Sequence, residues 1–80
     1  MLVNDVISAL VDRSGKSCNA VSAELGKSRE YVRQASMTKR GPALATVADV
    51  ADVAGVDVVL VDRATGAALG TVEPPRRAVR

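Results

Sequence analysis

The chain has 80 residues and a formal net charge of +2, and 48% of its residues are hydrophobic. This length allows one small domain, whose core must be aliphatic because the chain has one tyrosine and no Phe or Trp. Cys18 is the only cysteine and histidine is absent, which excludes disulfides, zinc sites and histidine acid–base catalysis within a single chain. We therefore expect a non-enzymatic domain without a metal or a cofactor.

The charged residues are unevenly distributed along the chain. Residues 1–40 carry seven Lys or Arg and four Asp or Glu, a net charge of +3, whereas residues 41–73 carry one and five, a net charge of −4. A basic half beside an acidic half predicts a polyanionic partner on one side and a different role for the other. No apolar run reaches the roughly 18 residues of a membrane span, and the first residues lack the basic flank of a signal peptide. We expect a soluble, cytoplasmic protein with no membrane contact.

Apolar periodicity predicts two helices in the first 25 residues. The first covers about residues 2–13, and its apolar stripe is formed by Leu2, Val3, Val6, Ile7, Leu10 and Val11. The second starts after Ser17, a favourable N-cap, and its inner face is formed by Ala20, Val21 and Leu25. Gly26 ends it, because glycine readily adopts the positive φ found at helix C-termini.

Two further helices follow. The third covers about residues 29–37, with Ser28 as N-cap, Val32 and Ala35 inward, and Tyr31 at the edge of the inner face. A break at residues 39–42 precedes the fourth helix, which runs from Ala43 to Ala54 and is ended by Gly55. The pattern of the fourth helix places Asp49 and Asp52 outward, and it places inward Leu44, Val47, Ala48, Ala51 and Ala54.

The C-terminal region predicts a β-hairpin, with a strand at 58–61, a turn at 62–66 and a weaker strand at 67–72. Both faces of the first strand are apolar, so one face can cover the helices while the other has no partner within the chain. Such a ribbon is suited to dimerisation, and the residues expected to form the contact are Val58, Val59, Leu60, Val61, Leu69 and Val72. Residues 74–80 are predicted to be disordered. Their arginines, Arg76, Arg77 and Arg80, either solubilise the chain or form an arm along the phosphates or the minor groove of DNA.

The second and third helices, with Gly26 between them, have the arrangement of a helix–turn–helix, whose second helix enters the DNA major groove. That role requires long polar side chains outside the core. The segment offers Ser28, Arg29, Glu30, Arg33 and Gln34, here called the polar row. Arginine can pair with guanine, glutamine with adenine and glutamate with cytosine. The alternative interpretation is an ordinary solvated helix face.

Three other features favour structural interpretations. Gly15-Lys16-Ser17 lacks the earlier glycine of a phosphate-binding loop and follows a predicted helix, so we interpret it as a helix N-terminus. Cys18 fits a small, half-buried apolar residue better than a redox sensor. Asp49 and Asp52 have no histidine or nucleophile near them in the sequence, which indicates solvated side chains rather than catalytic carboxylates.

Residues 21–32 (VSAELGKSREYV) and residues 39–56, with a basic turn, a proline and a closing Gly-Val, resemble the lambda-repressor and Cro-like family of helix–turn–helix proteins, the xenobiotic-response-element type. The resemblance implies a mainly α fold: a four-helix DNA-binding domain over residues 1–56, then the hairpin over 57–73 and the basic tail over 74–80. It makes Gly26 the turn glycine, Leu25 and Val32 buried positions, and the polar row the base-facing positions. Two residues depart from the family pattern, since Ser22 stands where alanine is usual and Lys27 where an apolar residue is usual.

Phosphate contacts are expected around the polar row. Ser17 and Tyr31 match family positions that often touch phosphates, and Lys27 is expected to reach a phosphate from its more exposed turn. The full set of predicted phosphate contacts is Lys16, Ser17, Lys27, Tyr31, Lys39 and Arg40.

These features together predict a sequence-specific transcriptional regulator that binds double-stranded DNA. The expected form is a homodimer on a pseudo-palindromic operator, acting as a repressor by occupying the site. Two alternatives remain at this point. One is an antitoxin-like protein whose acidic C-terminal half binds a basic partner protein, and the other is a recombination-directing factor that bends DNA.

Overall fold

The computed structural model describes residues 1–75 of the chain. A 3-10 helix at Val3–Asp5 precedes four α-helices: α1 (Val6–Ser14), α2 (Cys18–Glu24), α3 (Tyr31–Ser36) and α4 (Leu44–Ala54). Two strands follow, β1 (Val59–Val61) and β2 (Ala68–Thr71), and they pair as an antiparallel hairpin. The predicted fold class, mainly α with a C-terminal β-hairpin, is confirmed.

The chain enters α1 through the 3-10 turn rather than through one continuous helix from residue 2. Leu2 is extended and precedes the 3-10 turn, Val3 begins it, and the two residues are 73% and 54% exposed. The inner face of α1 consists of Ile7, Leu10 and Val11, as the periodicity predicts. The prediction that Leu2 and Val3 are buried is wrong, because α1 begins only at Val6 and the α-helical spacing does not extend back to these two residues.

The start of α2 follows the sequence, whereas the start of α3 does not. Ser17 is the N-cap of α2, and its Oγ accepts a hydrogen bond from the Ala20 backbone N–H at 3.1 Å. The predicted N-cap role of Ser28 is wrong. Helix α3 begins at Tyr31, and Glu30 occupies the cap position without a side-chain capping bond. The Ser28 carbonyl instead accepts from the Tyr31 N–H at 3.1 Å, which places Ser28 within the turn.

The core is a single aliphatic cluster to which all four α-helices contribute. Its buried members are Ile7, Leu10, Val11, Val21, Val32, Val47, Val50, Ala51 and Ala54. On α2, Ser22 is buried while Ala20 is exposed, so the predicted inner face is displaced by part of a turn.

The inner face of α4 differs from the prediction in a similar way. Val50 is fully buried, whereas Leu44, the first residue of the helix, is 56% exposed. Asp49 is half-buried and not fully outward, and its Oδ1 is a buried oxygen without a hydrogen-bond partner among the described residues. Packing of α4 against α1 decides these orientations, and amphipathicity alone does not resolve them when most of the helix is Ala and Val.

The hairpin stands clear of the helices. Val59 lies opposite Thr71 and Leu60 opposite Gly70, and every residue of both strands is exposed. The expectation that one strand face covers the helices is therefore wrong. Val56 and Val58, which precede β1, pack against the core instead and anchor the base of the hairpin.

The hairpin turn is held by local hydrogen bonds. The Asp62 N–H donates to the Ala67 carbonyl at 2.8 Å, the Gly66 N–H donates to the Asp62 carbonyl at 2.7 Å, and Asp62 Oδ1 accepts from the Ala64 N–H.

After β2, Pro74 is buried, which contradicts the prediction of disorder at that residue. The predicted role of Arg76, Arg77 and Arg80 falls on residues outside the described part of the chain.

A pair of substitutions in α4 tests these orientations. Val50→Ala should lower the free energy of unfolding by about 2 kcal/mol, because it removes two buried methyl groups and leaves a cavity. Leu44→Ala should cost less than about 1 kcal/mol, because most of that side chain already contacts water. Urea denaturation of the two variants measures both values, and a larger loss for Leu44→Ala would contradict the packing described here.

Candidate nucleic-acid interface

The unit formed by α2, the turn at residues 25–30 and α3 carries the candidate interface. Helix α2 ends with two backbone bonds, from the Gly26 N–H to the Ala23 carbonyl and from the Lys27 N–H to the Ser22 carbonyl, both 3.0 Å long. Gly26 adopts φ +70°, the left-handed conformation that glycine accepts without strain. The prediction that Gly26 ends the second helix by adopting a positive φ is confirmed.

The inner side of α3 is fixed in the core. Val32 is fully buried and Ala35 packs against the core cluster, as the sequence predicts. A helix of six residues has little stability of its own, so this burial holds α3 in place. Of its remaining positions, Arg33 and Gln34 are exposed, whereas Tyr31 and Ser36 are half-buried.

The polar row lies on the outer side of this unit. Ser28, Arg29 and Glu30 belong to the turn, Arg33 and Gln34 belong to α3, and all five residues are exposed. Within residues 1–75, none of these five side chains forms a hydrogen bond or an ion pair. Their donors and acceptors are therefore available to a ligand at no cost in broken intramolecular bonds.

Tyr31 joins α3 to α4. Its hydroxyl lies 3.2 Å from Thr46 Oγ1, and the Lys27 Nζ stands 5.5 Å from the centre of its ring, a cation–π contact. The tyrosine is half-buried. A phenol both donates and accepts, so Tyr31 can accept from Thr46 and still donate to a phosphate.

The four predicted phosphate contacts other than Lys27 and Tyr31 fall into two pairs. Lys16 Nζ is paired with Glu24, and Ser17 Oγ is already used as the N-cap of α2. Because the Lys16–Glu24 pair is exposed, it stabilises the fold little, and Lys16 can exchange Glu24 for a phosphate. The side chains of Lys39 and Arg40, in the turn after α3, are exposed and form no ion pair with any described residue.

The sequence did not predict the role of one residue of this unit, Ser22. Ser22 is fully buried, and its Oγ accepts a hydrogen bond from the Val32 backbone N–H at 3.1 Å. The available signal was its departure from the family pattern, in which alanine is usual at this position. Serine is close to alanine in size, but its hydroxyl adds a hydrogen bond that alanine cannot form.

Comparison with known proteins gives no relative: no family profile, no curated protein and no solved structure matches this chain significantly. The resemblance of residues 21–32 and 39–56 to the Cro-like family therefore stays a prediction. Over residues 1–75, none of the helices is sufficiently long and apolar to cross a bilayer. In the same range, no three His, Cys, Asp or Glu side chains are grouped so that they could hold a metal ion.

The Tyr31–Thr46 bond has a measurable consequence. Tyr31→Phe should lower the free energy of unfolding by about 1 kcal/mol, because it removes a half-buried hydrogen bond. A double-mutant cycle with Thr46→Val isolates the interaction by urea denaturation, and we expect a coupling energy of about 0.5–1.5 kcal/mol. Strict additivity of the two substitutions would show that the hydroxyl groups do not interact.

Proposed function

We propose that this protein is a sequence-specific DNA-binding regulator whose polar row reads bases in the major groove. The observation that supports this most is the state of the row: five exposed polar side chains without intramolecular partners, on a backbone fixed by the burial of Val32. A row that served only as a solvated face would need neither this fixed backbone nor two arginines within five residues. The proposal extends to a Cro-like regulator that represses by occupying an operator.

The chemistry of the row suits direct readout. Arg29 and Arg33 can each donate two hydrogen bonds to guanine O6 and N7, Gln34 can pair with adenine, and Glu30 can accept from cytosine N4. Each well-formed bidentate pair contributes about 1–3 kcal/mol of discrimination against the wrong base. Because Arg33 and Gln34 project from the helix itself, their positions are the most closely fixed.

Contacts to the DNA backbone would lie on either side of the polar row. Lys39 and Arg40 follow α3 and have no competing ion pair among the described residues, so they are the strongest candidates for phosphate contacts. Lys27 can contribute while it remains over the Tyr31 ring. Lys16 and Ser17 contribute after partial loss of their present bonds.

A homodimer is the proposed binding form, with the two α3 helices about 34 Å apart in successive major grooves. Its support is the hairpin, where Val59, Leu60, Val61 and Leu69 are 42–72% exposed on a ribbon with two open edges. Two-stranded ribbons are marginally stable alone, and association of two copies covers these apolar side chains. Val58 and Val72, also predicted for this contact, are half-buried at the base of the ribbon.

Selection from random double-stranded oligonucleotides at low salt is the direct test of the proposed function. We expect an enriched motif with twofold symmetry, as two copies of one reading surface require. Enrichment of no sequence at all would reject the proposal.

With the selected operator in hand, two substitutions separate base contacts from phosphate contacts. Arg33→Ala should weaken operator binding by about 1–3 kcal/mol and relax the preference at one base pair. Lys39→Ala should weaken operator and random DNA alike and reduce the salt slope by about one unit. The matched control is Arg13→Ala, since Arg13 is an exposed arginine of α1 outside the proposed interface. It should change neither the base preference nor the salt slope, apart from the small effect of losing one charge. Equal losses on operator and random DNA from Arg33→Ala would remove Arg33 from the base-reading set.

The oligomeric state tests the hairpin. Leu60→Asp should convert the dimer to a monomer in size-exclusion chromatography with light scattering, because it places a charge on the contact surface. Leu44→Asp is the control, a similarly exposed leucine at the start of α4 that lies near the base of the hairpin but outside both strands. Dissociation by Leu44→Asp and not by Leu60→Asp would move the interface from the hairpin to the helices.

A second candidate function, that of an antitoxin-like protein, has one structural feature in its favour. A groove of about 470 Å³ lies beside the base of the hairpin, with an apolar lining that includes Val3, Val6, Leu10, Leu44, Val47, Val56 and Val58. The exposed Asp57 also lines it, within the acidic half of the chain. A basic partner protein with apolar anchors fits this description, and its co-purification as a stable hetero-oligomer would favour the antitoxin-like function.

A further inference from the structure

Ser22 forms hydrogen bonds with both ends of the segment that carries the first three residues of the polar row. Its carbonyl accepts from the Lys27 N–H at 3.0 Å, just before Ser28, and its hydroxyl accepts from the Val32 N–H at 3.1 Å, just after Tyr31. Residues 28–31, which are the end of the turn and the first residue of α3, are therefore held at both ends by one residue of α2. No other residue in the described range bonds to both sides of this segment.

The hydroxyl bond compensates for a missing cap. Helix α3 starts at Tyr31, so the Val32 N–H is at the second helical position, which an N-cap side chain normally serves. Glu30 occupies the cap position in a helical conformation, φ −90° and ψ −5°, and its side chain makes no such bond. Ser22 supplies the acceptor from the neighbouring helix, ten residues earlier in the chain.

The surroundings of this bond make it hard to replace. Ser22 and Val32 are both fully buried, and Ser22 is the one buried polar residue in the described part of the chain. Water therefore cannot reach the Val32 N–H, and an unpaired buried donor is costly. Alanine would fill nearly the same space but would leave this N–H without an acceptor.

We propose that Ser22 is a positioning residue for base readout: by holding Lys27 and Val32, it fixes where Ser28, Arg29, Glu30 and Arg33 stand relative to α2. The DNA-binding consequence rests on the proposed function, whereas the capping of α3 by Ser22 does not. Hydrogen bonds to base edges require close geometry, but attraction to phosphates tolerates displacement. Loss of the hydroxyl should therefore reduce specific binding more than non-specific binding.

Ser22→Ala is the test, with Ser14→Ala as its matched control. Ser14 Oγ also accepts a backbone N–H at 3.1 Å, from Lys16, but it lies at the end of α1 and not against α3. In Ser22→Ala we expect the Val32 amide to exchange its hydrogen about tenfold faster and operator affinity to fall about tenfold, as loss of one buried hydrogen bond implies. Affinity for random DNA should stay within about twofold, so the specificity ratio falls. Ser14→Ala should leave the Val32 exchange rate and the specificity ratio unchanged.

The possible results separate this inference from the proposed function. An unchanged Val32 exchange rate in folded Ser22→Ala, or equal loss of affinity for operator and random DNA, overturns the positioning role. If Ser22→Ala does not fold, amide hydrogen exchange in the unmodified chain tests the bond. Protection of the Val32 amide at the level of core amides supports the bond, whereas exchange as fast as at Ser28 and Arg29 overturns it. If the unmodified chain prefers no DNA sequence, the proposed function fails while the exchange result at Val32 still tests the cap.

Discussion

Burial of Val32 in the core cluster is the constraint on which the candidate interface depends. Helix α3 has six residues and no side-chain N-cap of its own, so it has little reason to form in isolation. Its place is set by the Val32 side chain in the core cluster, by the hydrogen bond from the Val32 N–H to Ser22 Oγ, and by the contact of the Tyr31 hydroxyl with Thr46 on α4. The direction in which the exposed residues of α3 face follows from these contacts.

The thinness of the core explains why such contacts matter here. Because the cluster consists mainly of Ala and Val, burial of any one side chain contributes little stabilising free energy. Each helix is also short. Hydrogen bonds that cross between elements, Tyr31 to Thr46 and Val32 to Ser22, add restraints that apolar packing of small side chains does not provide. The proposed base readout would need that rigidity, because hydrogen bonds to base edges are directional.

The two halves of the chain differ in charge and in exposure. The helix–turn–helix unit presents polar side chains without partners, whereas the hairpin presents aliphatic side chains that no described residue covers. Val56 and Val58 tie the hairpin to the helices only at its base. This division suits a protein that binds a polyanion with one surface and a protein chain, a second copy or another partner, with the other.

The sequence by itself determined those elements whose signals are local. Ser17 as N-cap, Gly26 and Gly55 as helix ends, and the Asp62–Gly66 turn all follow from the preferences of single residues, and the fold class follows from their order. Only the tertiary structure decided the start of α3 at Tyr31, the burial of Ser22 and Val50 in place of Ala20 and Leu44, and the exposure of both hairpin strands. In a chain so rich in Ala and Val, many helix faces are nearly equal in hydrophobicity, and the face that is buried is chosen by the helices that pack against it.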